Sequence, residues 1–165
     1  MIEKGRQRMY RDPMQYVSHS PQETASIARE LATTTMQKMP YTKEALVFAL
    51  FGELGAGKTT FSQAFAEALG VREALKSPTF TLLHEYRIPG SELALWHMDG
   101  YRLEGHKDLA NLDLHAVFAN PEHIVLVEWP EQASDIFPKE HVEVRMAHEG
   151  VDKRSISVTW PPSLR

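Results

Sequence analysis

Gly52-Glu53-Leu54-Gly55-Ala56-Gly57-Lys58-Thr59 carries a glycine, four intervening residues and then Gly-Lys-Thr, and no other stretch constrains the fold as strongly. It is entered from Ala45-Leu46-Val47-Phe48-Ala49-Leu50-Phe51, an apolar run with the length and composition of a buried parallel strand. The octapeptide therefore reads as a phosphate-binding loop between a strand and a helix, which commits the chain to an α/β architecture. Such a loop must bring successive backbone N–H groups up to phosphate oxygens, and side chains at the glycine positions would obstruct that approach. The backbone from Gly52 through Leu54, Gly55, Ala56, Gly57, Lys58, Thr59 and Thr60 is the candidate nucleotide cradle. Lys58 supplies a compact charge for the β and γ phosphates, and Thr59 a hydroxyl able to ligate Mg²⁺.

The helix after the loop can be checked independently. Phe61, Ala64, Phe65, Ala68 and Leu69 fall at i, i+3, i+4, i+7 and i+8 and share one face, and Gly70 sits where a C-terminal glycine cap belongs. The helix also brings its N-terminal dipole to the phosphates.

At 165 residues the chain is most simply one domain with one core. A net charge of −4 gives no broad basic field and disfavours direct reading of nucleic acid. The lack of cysteine removes thiolate catalysis, disulfides and cysteine-bound zinc. The first thirteen residues lack the apolar core of a signal peptide, and residues 45–51 are too few to span a bilayer. The expectation is a soluble cytoplasmic protein with no membrane partner.

Residues 1–13 carry Lys4, Arg6, Arg8 and Arg11 against Glu3 and Asp12 without apolar period. They read as a flexible solvated tail, with contact to RNA or an acidic partner as the alternative. Residues 14–165 are expected to form a single domain. Residues 14–17 suggest a short strand, after which Ser20-Pro21-Gln22-Glu23 has the pattern of a capping box with proline at the first helical position. Met39-Pro40-Tyr41-Thr42 ends that helix.

Residues 81–88 and 92–98 alternate around Pro89-Gly90-Ser91 and predict an antiparallel hairpin. Residues 104–122 read as short and helical, with Leu109, Leu112, Leu114, Val117 and Phe118 turned inward. Ile124-Val125-Leu126-Val127 predicts a second buried strand, and Val142 to Met146 and Ile156 to Trp160 predict two edge strands. The expected fold is a three-layer P-loop NTPase-like α/β domain with a mixed, mostly parallel central sheet.

The buried strand ends in Glu128-Trp129-Pro130-Glu131. In an open α/β sheet ligands bind at the carboxyl edge of the strands, so Glu128 belongs beside the phosphates as a metal ligand, a holder of metal-bound water or an orienter of attacking water. Asp99, at the end of a hairpin strand beside Gly100, fits either an aspartate turn or a helper role. Thr79 fits a strand start or a γ-phosphate sensor, and Trp129 fits packing or stacking. Arg102 and Arg154 read first as surface residues. His84, His97 and His123 read as strand residues, and the histidines show no pair at metal-ligand spacing.

Together, Gly52 to Thr60, Ser77-Pro78-Thr79-Phe80-Thr81-Leu82, His97-Met98-Asp99-Gly100-Tyr101-Arg102-Leu103 and Val127-Glu128-Trp129-Pro130-Glu131 resemble, in order and spacing, the TsaE family of P-loop ATPases of bacterial tRNA threonylcarbamoyladenosine biosynthesis. The resemblance runs from about Ser18 to Thr159. It implies an ATPase that uses ATP and Mg²⁺ to drive the TsaD and TsaB proteins, which transfer threonylcarbamoyl to an adenosine beside the anticodon, so that tRNA is met through the complex. It implies further that Thr59 and Glu128 hold Mg²⁺, that Thr79 lies in a first switch-like segment and the Glu128-Trp129 pair in a second, that Asp99 helps metal or water, and that Thr24 and Arg154 lie near the nucleotide.

The chain departs from the family pattern at Gly100, where leucine is usual, and in its residues 1–13. Gly100 is expected to loosen the turn after Asp99. Two other functions fit a P-loop: a small-molecule kinase, for which residues 132–150 offer no arginine-bearing lid, and an assembly module that acts through ATP binding alone.

Overall fold

The computed structural model describes residues 13–76, 82–102, 113–132 and 138–164. The basic segment before Pro13, Thr79 with its neighbours in residues 77–81, and Leu109 and Leu112 lie outside the described residues.

Strand β1 (Met14–Ser18) leads into helix α1 (Pro21–Lys38), β2 (Leu46–Phe51), α2 (Lys58–Ala68), the hairpin β3 (Leu83–Arg87) and β4 (Ala94–Asp99), the short helix α3 (Leu114–Ala119), β5 (His123–Glu128), β6 (Val142–His148) and β7 (Arg154–Thr159). The strands form one seven-stranded sheet in the order β1-β7-β6-β2-β5-β4-β3. β6, β2, β5 and β4 pair in parallel, while β7 and β3 run against their neighbours. The sheet is therefore mixed and mostly parallel, as its pattern of apolar runs and one hairpin predicts.

Side-chain alternation sorts the strands into two faces. Phe48, Leu50, Leu95, Ile124, Leu126, Val142, Val144, Ile156 and Val158 pack with Ile27, Leu31, Phe61 and Phe65 of α1 and α2. Val47, Val125, Val127 and Met98 pack on the other face with Leu114, Val117 and Phe118 of α3. Helices thus lie on both faces, giving three layers. Phe48 anchors the larger core, fully buried with its ring edge-on to Phe65 at 5.0 Å and to Trp160 at 5.6 Å. Among the described residues no helix is long and apolar enough to cross a membrane.

The predicted helix ends are present. Ser20 Oγ accepts the Glu23 N–H at 3.1 Å, and Glu23 Oε2 accepts the N–H of His19, one residue upstream of the cap, at 2.7 Å. α2 closes in a Schellman arrangement, with Gly70 N–H donating to Glu67 O at 3.0 Å and Val71 N–H to Ala66 O at 3.1 Å.

The last two strands differ from expectation. β6 lies between β2 and β7, β7 lies between β6 and β1, and the edge belongs to β1. The alternation of β6 and β7 has another cause: Val144, Met146, Ile156 and Val158 are buried under the helical layer, while Arg145, Ser155 and Ser157 are on the opposite face and stay partly or fully exposed. One covered face yields the same period of two as an edge position.

Truncating the core anchor tests this packing. Phe48→Ala is expected to lower unfolding free energy by about 3–5 kcal/mol, read by urea denaturation, and a loss below about 1 kcal/mol would contradict the packing described.

Candidate functional site

The loop leaves β2 at Phe51 and enters α2 at Lys58. Its backbone needs glycine at both ends. A Cβ on Gly52, at φ +150°, would lie 2.5 Å from Met146 O of the adjacent strand, and Gly57, the N-cap of α2, sits at φ +105°. Leu54 is exposed, and its carbonyl lies 3.4 Å from His148 Nε2, a contact from β6 that sequence spacing does not disclose.

Parallel pairing sets Leu50 of β2 opposite Glu128 of β5, and Asp99 of β4 opposite Glu128 on its other side. This register brings residues from distant parts of the chain to one sheet edge. Glu128 is 4% exposed. Its Oε2 accepts from Thr59 Oγ1 at 3.2 Å, and its Oε1 lies 3.1 Å from His97 Nε2. Burial pushes the carboxyl up, but the hydrogen bond and charge of His97, with the Ser62 and Thr59 hydroxyls, outweigh it and hold Glu128 below the ordinary carboxylate value. It is therefore an ionised group kept inside the fold.

The Lys58 ammonium donates to Gly52 O at 2.5 Å and Glu53 O at 2.9 Å, and sits 3.7 Å from the Trp129 ring centroid. Burial lowers its pKa, against the pull of Glu128, Glu131 and Asp99. Trp129 has φ +56°, the single positive value among the described non-glycine residues. A left-handed turn directly after β5 costs about 1–2 kcal/mol. It lifts the indole out of the core and over Lys58, with Tyr101 packed at 5.1 Å on its ring.

Asp99 Oδ1 accepts the Tyr101 N–H at 3.0 Å, so the aspartate turn is real and coexists with its place beside Glu128. Gly100 does not loosen this turn. A Cβ there would lie 2.3 Å from Trp129 O and 3.2 Å from Glu128 O, so glycine permits close approach of the two strand ends.

Thr24 and Arg154 meet the loop on its other side. With Gly55, Ala56, Gly57, Thr60, His19 and Asp152 they line a cavity of about 310 Å³. Thr24 Oγ1 is buried at 2.8 Å from Ser18 Oγ, and the Arg154 guanidinium donates to Val151 O and Lys153 O. The cavity leaves room for a ligand group beside the loop. Sequence reasoning missed His19, Asp152, His148 and, most importantly, His97, which the period-two alternation of β4 places on the face shared by Asp99.

The residues present fit a Mg²⁺ ion. Two neighbouring ligands on an octahedral ion with bonds of about 2.0–2.1 Å stand about 3 Å apart, close to the 3.2 Å between Thr59 Oγ1 and Glu128 Oε2.

The chain is similar to known proteins along most of its length. The family model described as threonylcarbamoyl adenosine biosynthesis protein TsaE matches residues 18–156. The tRNA threonylcarbamoyladenosine biosynthesis protein TsaE of Bacillus subtilis is 36% identical over 140 residues, covering 85% of this chain and 81% of its own. The protein of that description from Treponema pallidum is 32% identical, covering 88% of this chain and 99% of its own. The crystal structure of Bacillus subtilis YdiB superposes with a TM-score of 0.70 at 32% identity, covering 93% of this chain and 88% of that one.

Two outcomes test the geometry. Gly100→Ala is expected to cost about 1–3 kcal/mol in chemical denaturation, whereas a loosened turn would gain stability from alanine. Because the folded carboxyl of Glu128 titrates below its ordinary value of 4.5, its ionised form contributes stability that is present above that value and lost as pH falls through the lowered one. The stability of wild type relative to Glu128→Gln is therefore expected to shrink as pH falls below the ordinary value of 4.5, and a constant difference would remove the assignment.

Proposed function

The chain belongs to the TsaE family, and on that premise we propose that it is a cytoplasmic ATPase of tRNA threonylcarbamoyladenosine biosynthesis, whose ATP binding and hydrolysis drive the TsaD-TsaB pair through its transfer cycle. Residues 14–165 act as one ATPase domain in this reading, and tRNA is met through the complex. The observation that carries it is the meeting of Lys58, Thr59 and Glu128 at one sheet edge, with Thr59 Oγ1 and Glu128 Oε2 3.2 Å apart.

Each residue has a distinct task. The loop amides from Gly52 to Thr60 bind and orient the phosphates. Lys58 turns from Gly52 O and Glu53 O to the β and γ oxygens and neutralises charge as the terminal phosphoryl group leaves. Mg²⁺ supplies Lewis-acid stabilisation of phosphate charge when bound, and Thr59 and Glu128 are the side chains to hold it. Asp99, paired beside Glu128, helps position the attacking water, and Trp129 contacts the nucleotide while shielding Lys58 from solvent. Thr24 and Arg154 hold the part of the nucleotide that enters the 310 Å³ cavity, and Thr79 acts as a switch residue toward the γ phosphate.

The reading distinguishes an energy-coupling ATPase from a kinase and from a module that works by binding alone. Turnover is slow without partners and rises with them, since the described loop region presents no arginine finger. ATP hydrolysis measured alone and with TsaD-TsaB is expected to rise on addition of the pair. Lys58→Ala and Glu128→Ala are each expected to reduce the stimulated rate by about 10²-fold or more. Equal rates with and without the pair, while the pair still binds only in ATP, would replace this reading with the assembly module.

A further inference from the structure

The two oxygens of Glu128 have different partners. Oε2 faces Thr59 Oγ1 at 3.2 Å, and Oε1 faces His97 Nε2 at 3.1 Å. His97 is 4% exposed, and its other nitrogen, Nδ1, is buried with no hydrogen-bond partner among the described residues. A histidine that merely tied the core together would be expected to engage both nitrogens. This one spends its single hydrogen bond among the described residues on the site carboxylate. The donor follows from that arrangement: a bare Nε2 would set its lone pair against a carboxylate oxygen, so Nε2 carries a proton.

We propose that His97 is a positioning residue that occupies Oε1 of Glu128 and leaves only Oε2 facing Thr59, making Glu128 a one-oxygen ligand matched to Mg²⁺ rather than to a larger cation such as Ca²⁺. The inference rests on the reading above that Thr59 and Glu128 hold the ion. Mg²⁺ demands near-octahedral geometry and takes its protein ligands sparingly, whereas Ca²⁺ accepts six to eight oxygens and often both from one carboxylate. The terminal torsion of glutamate is broad and nearly two-fold. Without the imidazole, the carboxylate is free to rotate and to offer both oxygens at once. Hydrogen-bonded partners of metal ligands commonly govern affinity in this way, by about 10–100-fold.

Calorimetric titration of a non-hydrolysable ATP analogue in Mg²⁺, in Ca²⁺ and in EDTA tests the proposal without relying on turnover. In wild type, Mg²⁺ is expected to tighten binding more than Ca²⁺ does. His97→Phe, which keeps the ring volume without the donor, is expected to narrow the Mg²⁺-to-Ca²⁺ ratio by about tenfold with the EDTA affinity unchanged, and His97→Gln, whose amide can donate to the same oxygen, to restore most of it. An unchanged ratio in His97→Phe overturns the proposal. Glu128→Ala distinguishes the premise: if it leaves the Mg²⁺ effect intact, Glu128 does not hold the ion and the reading beneath the proposal fails first. Nitrogen NMR of the wild-type imidazole gives an answer even if His97→Phe does not fold. A protonated Nε2 is expected, and an unprotonated Nε2 overturns the assignment.

Discussion

The parallel pairing of β2 with β5 is the constraint on which the rest of the molecule depends. Glycine loop and carboxylate are separated by about seventy positions in the chain, and the register that sets Leu50 opposite Glu128 makes them neighbours. That register is held by burial. A shift of β5 by one residue would turn Val125 and Val127 from the α3 face to the α2 face and expel Ile124 and Leu126 from theirs. Since the two faces carry cores of different size, the chain has one pairing that satisfies both. The site's geometry is thus a by-product of hydrophobic packing along the strands.

The buried carboxylate enters that packed environment at the end of a strand. Glu128 continues the alternation of β5 and points to the face of Leu126, yet it is charged, and the fold accommodates it with donors from two elements. Thr59 comes from α2 and His97 from β4, so the helix that follows the loop and the neighbouring strand are both tied to the carboxylate. Trp129 then departs from the strand with backbone strain, which is tolerated because its ring finds Lys58 on one side and Tyr101 on the other.

The parts of this arrangement that were legible in the sequence are those encoded by local spacing. The loop is a pattern of contiguous residues, α2 a helical period, and the Ser20 cap a pattern within four residues, and each is present as read. Glu128 was legible because a carboxylate directly after four apolar strand formers has no comfortable place except a site. His97 was not, because alternation shows which face it occupies but not which strand lies beside it. Trp129 was seen as a residue of interest, though nothing in a tryptophan announces a left-handed backbone. The misreading of β6 and β7 as edges has a similar origin, since a half-covered interior strand and an edge strand share one pattern. Gly100 shows the limit from the opposite side: a glycine kept for close approach looks, in sequence, like one kept for freedom.

The resting position of Lys58 has a thermodynamic meaning of its own. Its ammonium is already coordinated by the carbonyls of Gly52 and Glu53 and covered by an aromatic face, so ligand entry is an exchange of acceptors and not the filling of a bare positive hole. In an exchange, the protein's own oxygens set a threshold that an incoming anion must exceed. A lone monoanion that offers Lys58 little more than those carbonyls do gains almost nothing by displacing them. A polyphosphate chain, which engages the loop amides at the same time, clears the threshold through several contacts at once. On the proposed reading, the loop would therefore screen ligands by the number of linked charges they bring, before any side chain reads their shape.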